Sequence, residues 1–395
     1  MRRAGSESSS PLRDFLRTES GGGILLVVGA VVAMTWANSP WSASYERFWT
    51  RTISVGTSTH TLDLVLRQFV NEGLITVLFF VVGLEIKREL VDGRLATRRS
   101  ALLPIAAAVG GMALPALIYL GIAGRTAPRG WAIVVATDIA LAVGVVSISG
   151  SRVSPGLRVF LLALAIVDDI GALLIIAVAY STGVGWGWLA GATAVVVASL
   201  IVRRAGARQL WVYVALGCLL WLMLHRAGVN PTLSGVAMGF FVPASGTAGS
   251  SSVVVRLEHL LHPWASYVIV PIFALANSGI TLSTDLIHSA VRSPITWGIV
   301  AGRVIGKPLG IVGATKAMIG ARQADQPDES TDRQLLGVAT SAGMGFTVAL
   351  FITELAFTDS VQRSNATLGI MIAAVVAGTL SLTILTTDLQ GSTPT

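Results

Sequence analysis

The sequence predicts an all-α, polytopic membrane protein of about twelve transmembrane helices, with a small external β-hairpin. Three observations carry this. Only 12% of the 395 residues are charged while 53% are hydrophobic, too little charge to cover a soluble domain of this length. Apolar runs near the roughly 20 residues that span a bilayer recur along the chain. The short alternating segments of a β-barrel are missing from the sequence.

In chain order, residues 1–19 read as a polar cytoplasmic tail. The apolar run behind it is an uncleaved first helix, because no A-x-A site is clear and many spans follow. Spans are expected at 20–38, 66–88, 101–122, 129–150, 156–180, 186–203, 209–225, 228–243, 256–279, 294–318, 333–357 and 364–387. The seventh and eighth are short, separated by "HRAGVN", and read as half-length or tilted. Residues 39–65 hold "YERFWTRTISVGTSTHTLDL", an alternating, β-branched stretch that reads as an external hairpin with Gly56 near its turn. Its free edge can pair with a second copy of the chain. "ASGTAGSSS" at 244–252 reads as a flexible linker, 320–333 as a polar cytoplasmic loop, and 388–395 as a cytoplasmic tail, leaving 20–387 as one transmembrane domain.

Lys and Arg orient the chain. Of the 28, 18 fall on the side of the N-terminus, eight on the other, and Arg303 and Lys307 within a span. Both termini are therefore expected in the cytoplasm. The pI near 10.2 follows from these basic loops rather than from a nucleic-acid partner. With Cys218 the one cysteine, no intrachain disulfide can form.

A weak internal echo links spans three to five with ten to twelve. "VVATDIALAVG" in one set and "VATSAGMGFTVAL" in the other each carry an "AT" followed by a break-prone stretch. Three spans per unit would make the units inverted, and inverted repeats with broken central helices mark secondary transporters.

An ionisable side chain at a helix centre costs about 2.5–3.5 kcal/mol on insertion scales, so each needs a reason. Asp138, beside Thr137, stands where a break would free backbone carbonyls. It can hold a small cation with them, or cap the broken ends. Asp168 and Asp169 in "LAIVDDIGAL" diverge by about 100° on a helix, so one can face an ion while the other meets a partner. Carboxylate oxygens suit a hard monovalent cation such as Na+, and they also take protons. One set of oxygens that holds either yields exchange. Lys307 in "GRVIGKPLGI" is the natural partner of Asp168, and Pro308 loosens its helix by removing a donor. Arg303, one turn earlier, either reaches an acid or snorkels to the interface. Gly343 and Gly345 mark a second break facing the first, and opposed breaks balance helix-end dipoles. Glu85, Arg88 and Glu89 end the second span, and Glu258, His259 and His262 begin the ninth in "RLEHLLHPW". They read either as interfacial ion pairs or as a pH-sensing entrance.

Other classes fit less well. An intramembrane aspartyl protease takes its aspartates from separate helices, and no G-x-G-D stretch occurs. A channel assembles symmetrically from several chains. A Na+-coupled symporter of a small organic anion needs core cations to hold the anion, and few are offered.

At these residues the sequence resembles the NhaA-type Na+/H+ antiporters. The matching stretches are "FFVVGLEIKREL", "WAIVVATDIALAVGV", "LALAIVDDIGALLIIA", "RLEHLLHPW", "IGKPLGI" and "GMGFTVALFI", over roughly 70–355. The resemblance implies a Na+ and proton site at Asp168 and Asp169, with Asp138, Thr137 and Lys307 balancing the broken helices. It implies export of Na+ and Li+ against two entering protons, pH activation, no cofactor, a bacterial cytoplasmic membrane, and a homodimer paired through the hairpin. The family commonly has histidine at Asn230 and an apolar residue at Arg303.

Overall fold

The structure, a computed structural model, describes residues 11–387 except 58–59, 92, 94–96, 182–184, 206–208, 243–252 and 329. The expected linker at 244–252 and the tail at 388–395 lie outside the described residues. Helix α1 runs Pro11–Ala37, so it takes up part of the expected tail; Pro11 suits a first helical turn.

The hairpin is shorter than the sequence suggests. Ser42–Trp49 is a helix, α2, and only β1 (Thr52–Thr57) and β2 (His60–Val65) pair, antiparallel from Thr52↔Val65 to Thr57↔His60. Tyr45 and Trp49 decide this. Four residues apart, they share one face of a helix, and both are buried. The Tyr45 hydroxyl lies 2.8 Å from the Leu275 carbonyl oxygen and accepts from the Gly279 N–H at 3.2 Å. Trp36 meets its ring edge-on at 5.4 Å.

The remaining helices follow the hydropathy closely. They are α3 (Leu66–Val91), α4 (Arg98–Ala123), α5 (Ile139–Ile148), α6 (Pro155–Ala179), α7 (Trp186–Arg204), α8 (Leu210–Ala227), α9 (Leu233–Phe241) and α10 (Val253–Asn277). Then come the short α11 (Thr284–Arg292), α12 (Pro294–Gly320), α13 (Asp332–Ser341), α14 (Thr347–Ala356) and α15 (Ser360–Thr386). Each expected span falls on helix. Among the described residues, nine helices are long and apolar enough to cross a membrane, with two shorter apolar ones at Trp211–Ala227 and Thr347–Ala356. The eighth span is the half-length one, at nine residues. Apolar side chains such as Leu117, Val178, Ile201 and Val375 face outward, as lipid-facing helices require. The chain is thus a multi-pass membrane protein.

Two helices are interrupted, as expected. A 3-10 stretch, Pro128–Val134, gives way to extended chain before α5, and α13 and α14 are separated by residues 342–346. The helices beside them, α4 and α12, cross at Gly110 and Gly310. A Cβ on either glycine would strike the other's carbonyl oxygen, so only small residues permit this approach. A π-helical turn, Gly302–Gly306, sits in α12 just ahead of Pro308.

Candidate functional site

Breaking a helix leaves four N–H and four C=O groups without intrahelical partners on either side of the break. Here two breaks cross, and side chains meet the exposed groups by sign. The segments are joined directly: the Asp138 N–H donates to the Met344 carbonyl at 2.8 Å. At the positive, N-terminal ends, Asp138 accepts from the Leu141 N–H at 3.3 Å, the Thr347 N–H at 3.1 Å and the Thr347 hydroxyl at 2.9 Å. One carboxylate thereby caps both α5 and α14. At the negative ends, Lys307 donates to the Val135 carbonyl. Arg303 donates to Ile133, to Ala136 at 3.2 Å and to Gly343 at 3.4 Å.

Two expectations change. The carbonyls freed beside Asp138 do not await a cation, because Lys307 and Arg303 already occupy them. Arg303 neither snorkels nor pairs with an acid: it is fully buried, and its two terminal nitrogens donate to backbone oxygens.

Asp168 and Asp169 diverge as successive helical residues must. Asp168 is fully buried. Its Oδ2 receives the Lys307 ammonium and the Thr137 hydroxyl, each at 2.5 Å. The Thr137 hydroxyl also lies 3.0 Å from the Ala342 carbonyl, and its single proton serves one acceptor at a time. Asp168 Oδ1 is buried without a hydrogen-bond partner among the described residues. Asp169, half-buried, turns instead into a cavity of about 100 Å³. Thr137, Asp138 and Thr347 line the same cavity, and so do Glu85 and His262.

The second candidate cluster also comes together in part. His262 Nε2 lies 3.5 Å from Glu85 Oε1, and Arg88 donates to Glu258 at 2.5 Å. These pairs tie the end of α3 to the start of α10 on the face that holds the start of α1. His259 is exposed, and Glu89 is half-buried; neither lines the cavity. Asn230 serves its own turn, accepting from the Thr232 N–H at 3.0 Å and hydroxyl at 2.6 Å.

Three features escape the sequence reading. Thr347 was announced only by the glycines before it. The role of Arg303 was hinted at by its i, i+4 spacing to Lys307. On the hairpin face, His225 Nδ1 lies 3.0 Å from Glu72 Oε2 and stacks on Trp221 at 5.1 Å. Nothing in "LHRAGVN" announces that pair.

Crossed, broken helices with buried carboxylates and matched helix-end charges define a secondary transporter of a small ion. A family profile described as "Na+/H+ antiporter 1" matches residues 13–385. An antiporter named NhaA from Shewanella pealeana is 41% identical, covering 93% of this chain and 95% of its own. One from Pectobacterium carotovorum is also 41% identical, covering 93% and 94%. NhaA 2 of Myxococcus xanthus is 38% identical, covering 96% and 90%. The sodium proton antiporter MjNhaP1 of Methanocaldococcus jannaschii shares the fold at a TM-score of 0.54 and 14% identity, over 94% of this chain and 92% of that one. The chain belongs to the Na+/H+ antiporter family that this profile describes.

Proposed function

We propose that the chain exports Na+, and Li+, in exchange for two entering protons, with Asp168 and Asp169 as the shared cation and proton site. The orphaned, buried Oδ1 of Asp168, one residue before the cavity-lining Asp169, carries this reading. It leaves a carboxylate oxygen free for a hard cation, next to Asp169 and Thr137, which line the cavity. Thr137 supplies a further oxygen. A cation there competes with protons for the same oxygens, and with Lys307 for Asp168. Two charges moving against one makes the exchange electrogenic.

The organic-anion symporter is not favoured. Arg303 and Lys307, the basic residues at the crossing, are committed to carbonyls and to Asp168.

The N-terminal face is read as cytoplasmic and the hairpin face as external, in a bacterial cytoplasmic membrane. The β1–β2 edge is read as the contact of a homodimer. His262 and Glu85 form a pH-responsive mouth: protonated histidine holds the pair, and rising pH dissolves it. His262→Ala should then shift the activation profile towards lower pH, by about one unit. An unchanged profile would remove His262 from regulation.

The central test is dissipation of a pH gradient in proteoliposomes on adding NaCl, LiCl or KCl. Asp169→Asn is expected to abolish the response while sparing the fold, since Asp169 makes no side-chain hydrogen bond among the described residues. A silent wild type at every pH would end the antiporter reading; full activity in Asp169→Asn would move the site elsewhere.

A further inference from the structure

We infer that Arg303 is a positioning residue whose guanidinium fastens the two broken helices together and so holds Thr137 against Asp168. The inference rests on the proposed cation site at those residues.

Its donors reach two separate segments. Ile133 and Ala136 belong to the first break, and Gly343 to the second. Ala136 directly precedes Thr137. Gly343 directly follows Ala342, whose carbonyl lies 3.0 Å from the Thr137 hydroxyl. The guanidinium therefore grips the backbone on both sides of that hydroxyl. Lys307 does not do this, for it bonds one carbonyl, Val135, and Asp168. Arg303 is thus the counterpart, at the C-terminal ends, of Asp138 at the N-terminal ends.

The chemistry suits the task. A guanidinium is planar, carries several donors in a rigid fork and stays charged at any working pH. Its grip persists whatever occupies the site. The chain makes room for it at Gly345, where a Cβ would strike Arg303 Nη1 and the Ala136 carbonyl oxygen. The π-helical turn Gly302–Gly306 brings positions four apart closer to one line, which aims Arg303 and Lys307 at the same crossing.

The test compares wild type with Arg303→Lys, Arg303→Met and Gly345→Ala in proteoliposomes, with rates scaled to folded protein from thermal melting. A misplaced ligand weakens cation binding, so Arg303→Met and Gly345→Ala should each raise the apparent KM for Na+ by about tenfold with maximal rate within about twofold. Arg303→Lys, which keeps charge but not the fork, should fall between. If Arg303→Met does not fold, Gly345→Ala and Arg303→Lys carry the comparison. A lowered melting temperature with unchanged KM would reduce Arg303 to a structural cation and overturn the inference, and so would a loss of maximal rate alone. A wild type without exchange would remove the antiporter reading itself, before any variant is compared.

Discussion

Asp138 and Asp168 are both buried carboxylates of the crossing, and they are held in opposite ways. Asp138 accepts three hydrogen bonds from two helix starts. Asp168 crowds two donors onto one oxygen and leaves the other orphaned. The first arrangement satisfies backbone groups, and the second keeps an acceptor in reserve. Asp138→Ala should therefore act first on stability. It strands two helix N-termini, at a cost of about 2–3 kcal/mol by the usual worth of caps and buried bonds. Thr347→Val, which removes only the hydroxyl, should cost about 1 kcal/mol. Thermal melting of the purified protein checks both. Equal losses in the two variants would contradict the double cap.

At the scale of elements, cations meet helix C-termini more than once. Lys87 donates to the carbonyls of Phe240, at 2.9 Å, and Val242 at the end of α9, as Arg303 and Lys307 do at the breaks. The spans were legible in the sequence because hydropathy reports burial in lipid directly, and the aspartate pair because carboxylates are costly there. The i, i+4 spacing to Lys307 aims Arg303 at the crossing, but its acceptors were not legible, because they are backbone oxygens of distant segments, which carry no sequence signal. The extent of the hairpin is not legible in the sequence for a related reason. Tyr45 and Trp49 fit a strand's alternation as well as a helix's period, and only their contacts with Trp36 and the end of α10 decide. That anchor can be tested by pH. Burial pushes the Tyr45 hydroxyl up to about 12, above the usual value near 10. A tyrosine that resists ionisation when folded stabilises fully below about pH 10, and its contribution is lost as pH climbs towards 12. Melting temperature should fall across that interval, and less steeply in Tyr45→Phe, which also gives up about 1 kcal/mol at neutral pH. Identical slopes in the two proteins would show that Tyr45 is not the group responsible.

For the whole molecule, the cavity reaches Asp169 from the face of Glu85 and His262. A second cavity, of about 480 Å³, enters from the hairpin face past Asn71, His225 and Glu354. Between the two stands an edge-to-face pair, Phe79 of α3 against Phe351 of α14, at 5.7 Å. The proposed site is carried by two three-span units, α4 to α6 and α12 to α15, where α13 and α14 form one broken span, and the units lock together at Gly110 and Gly310. Helix α3 lies outside them. On the proposed site, alternating access requires the units to move against α3, and that motion would part Phe79 from Phe351. Asn71 and Asn277 provide a control. They exchange amide hydrogen bonds at 3.0 and 2.8 Å, joining α3 to α10, and both helices lie outside the units. In a Cys218→Ser background, Phe79→Cys with Phe351→Cys, bridged by a short bifunctional thiol reagent, should cut exchange to less than about a tenth, because a bridge across the moving boundary blocks alternating access. Asn71→Cys with Asn277→Cys, bridged likewise, should leave exchange largely intact. If the second bridge blocks transport and the first does not, the moving boundary runs between α3 and α10, and the units are not the part that moves.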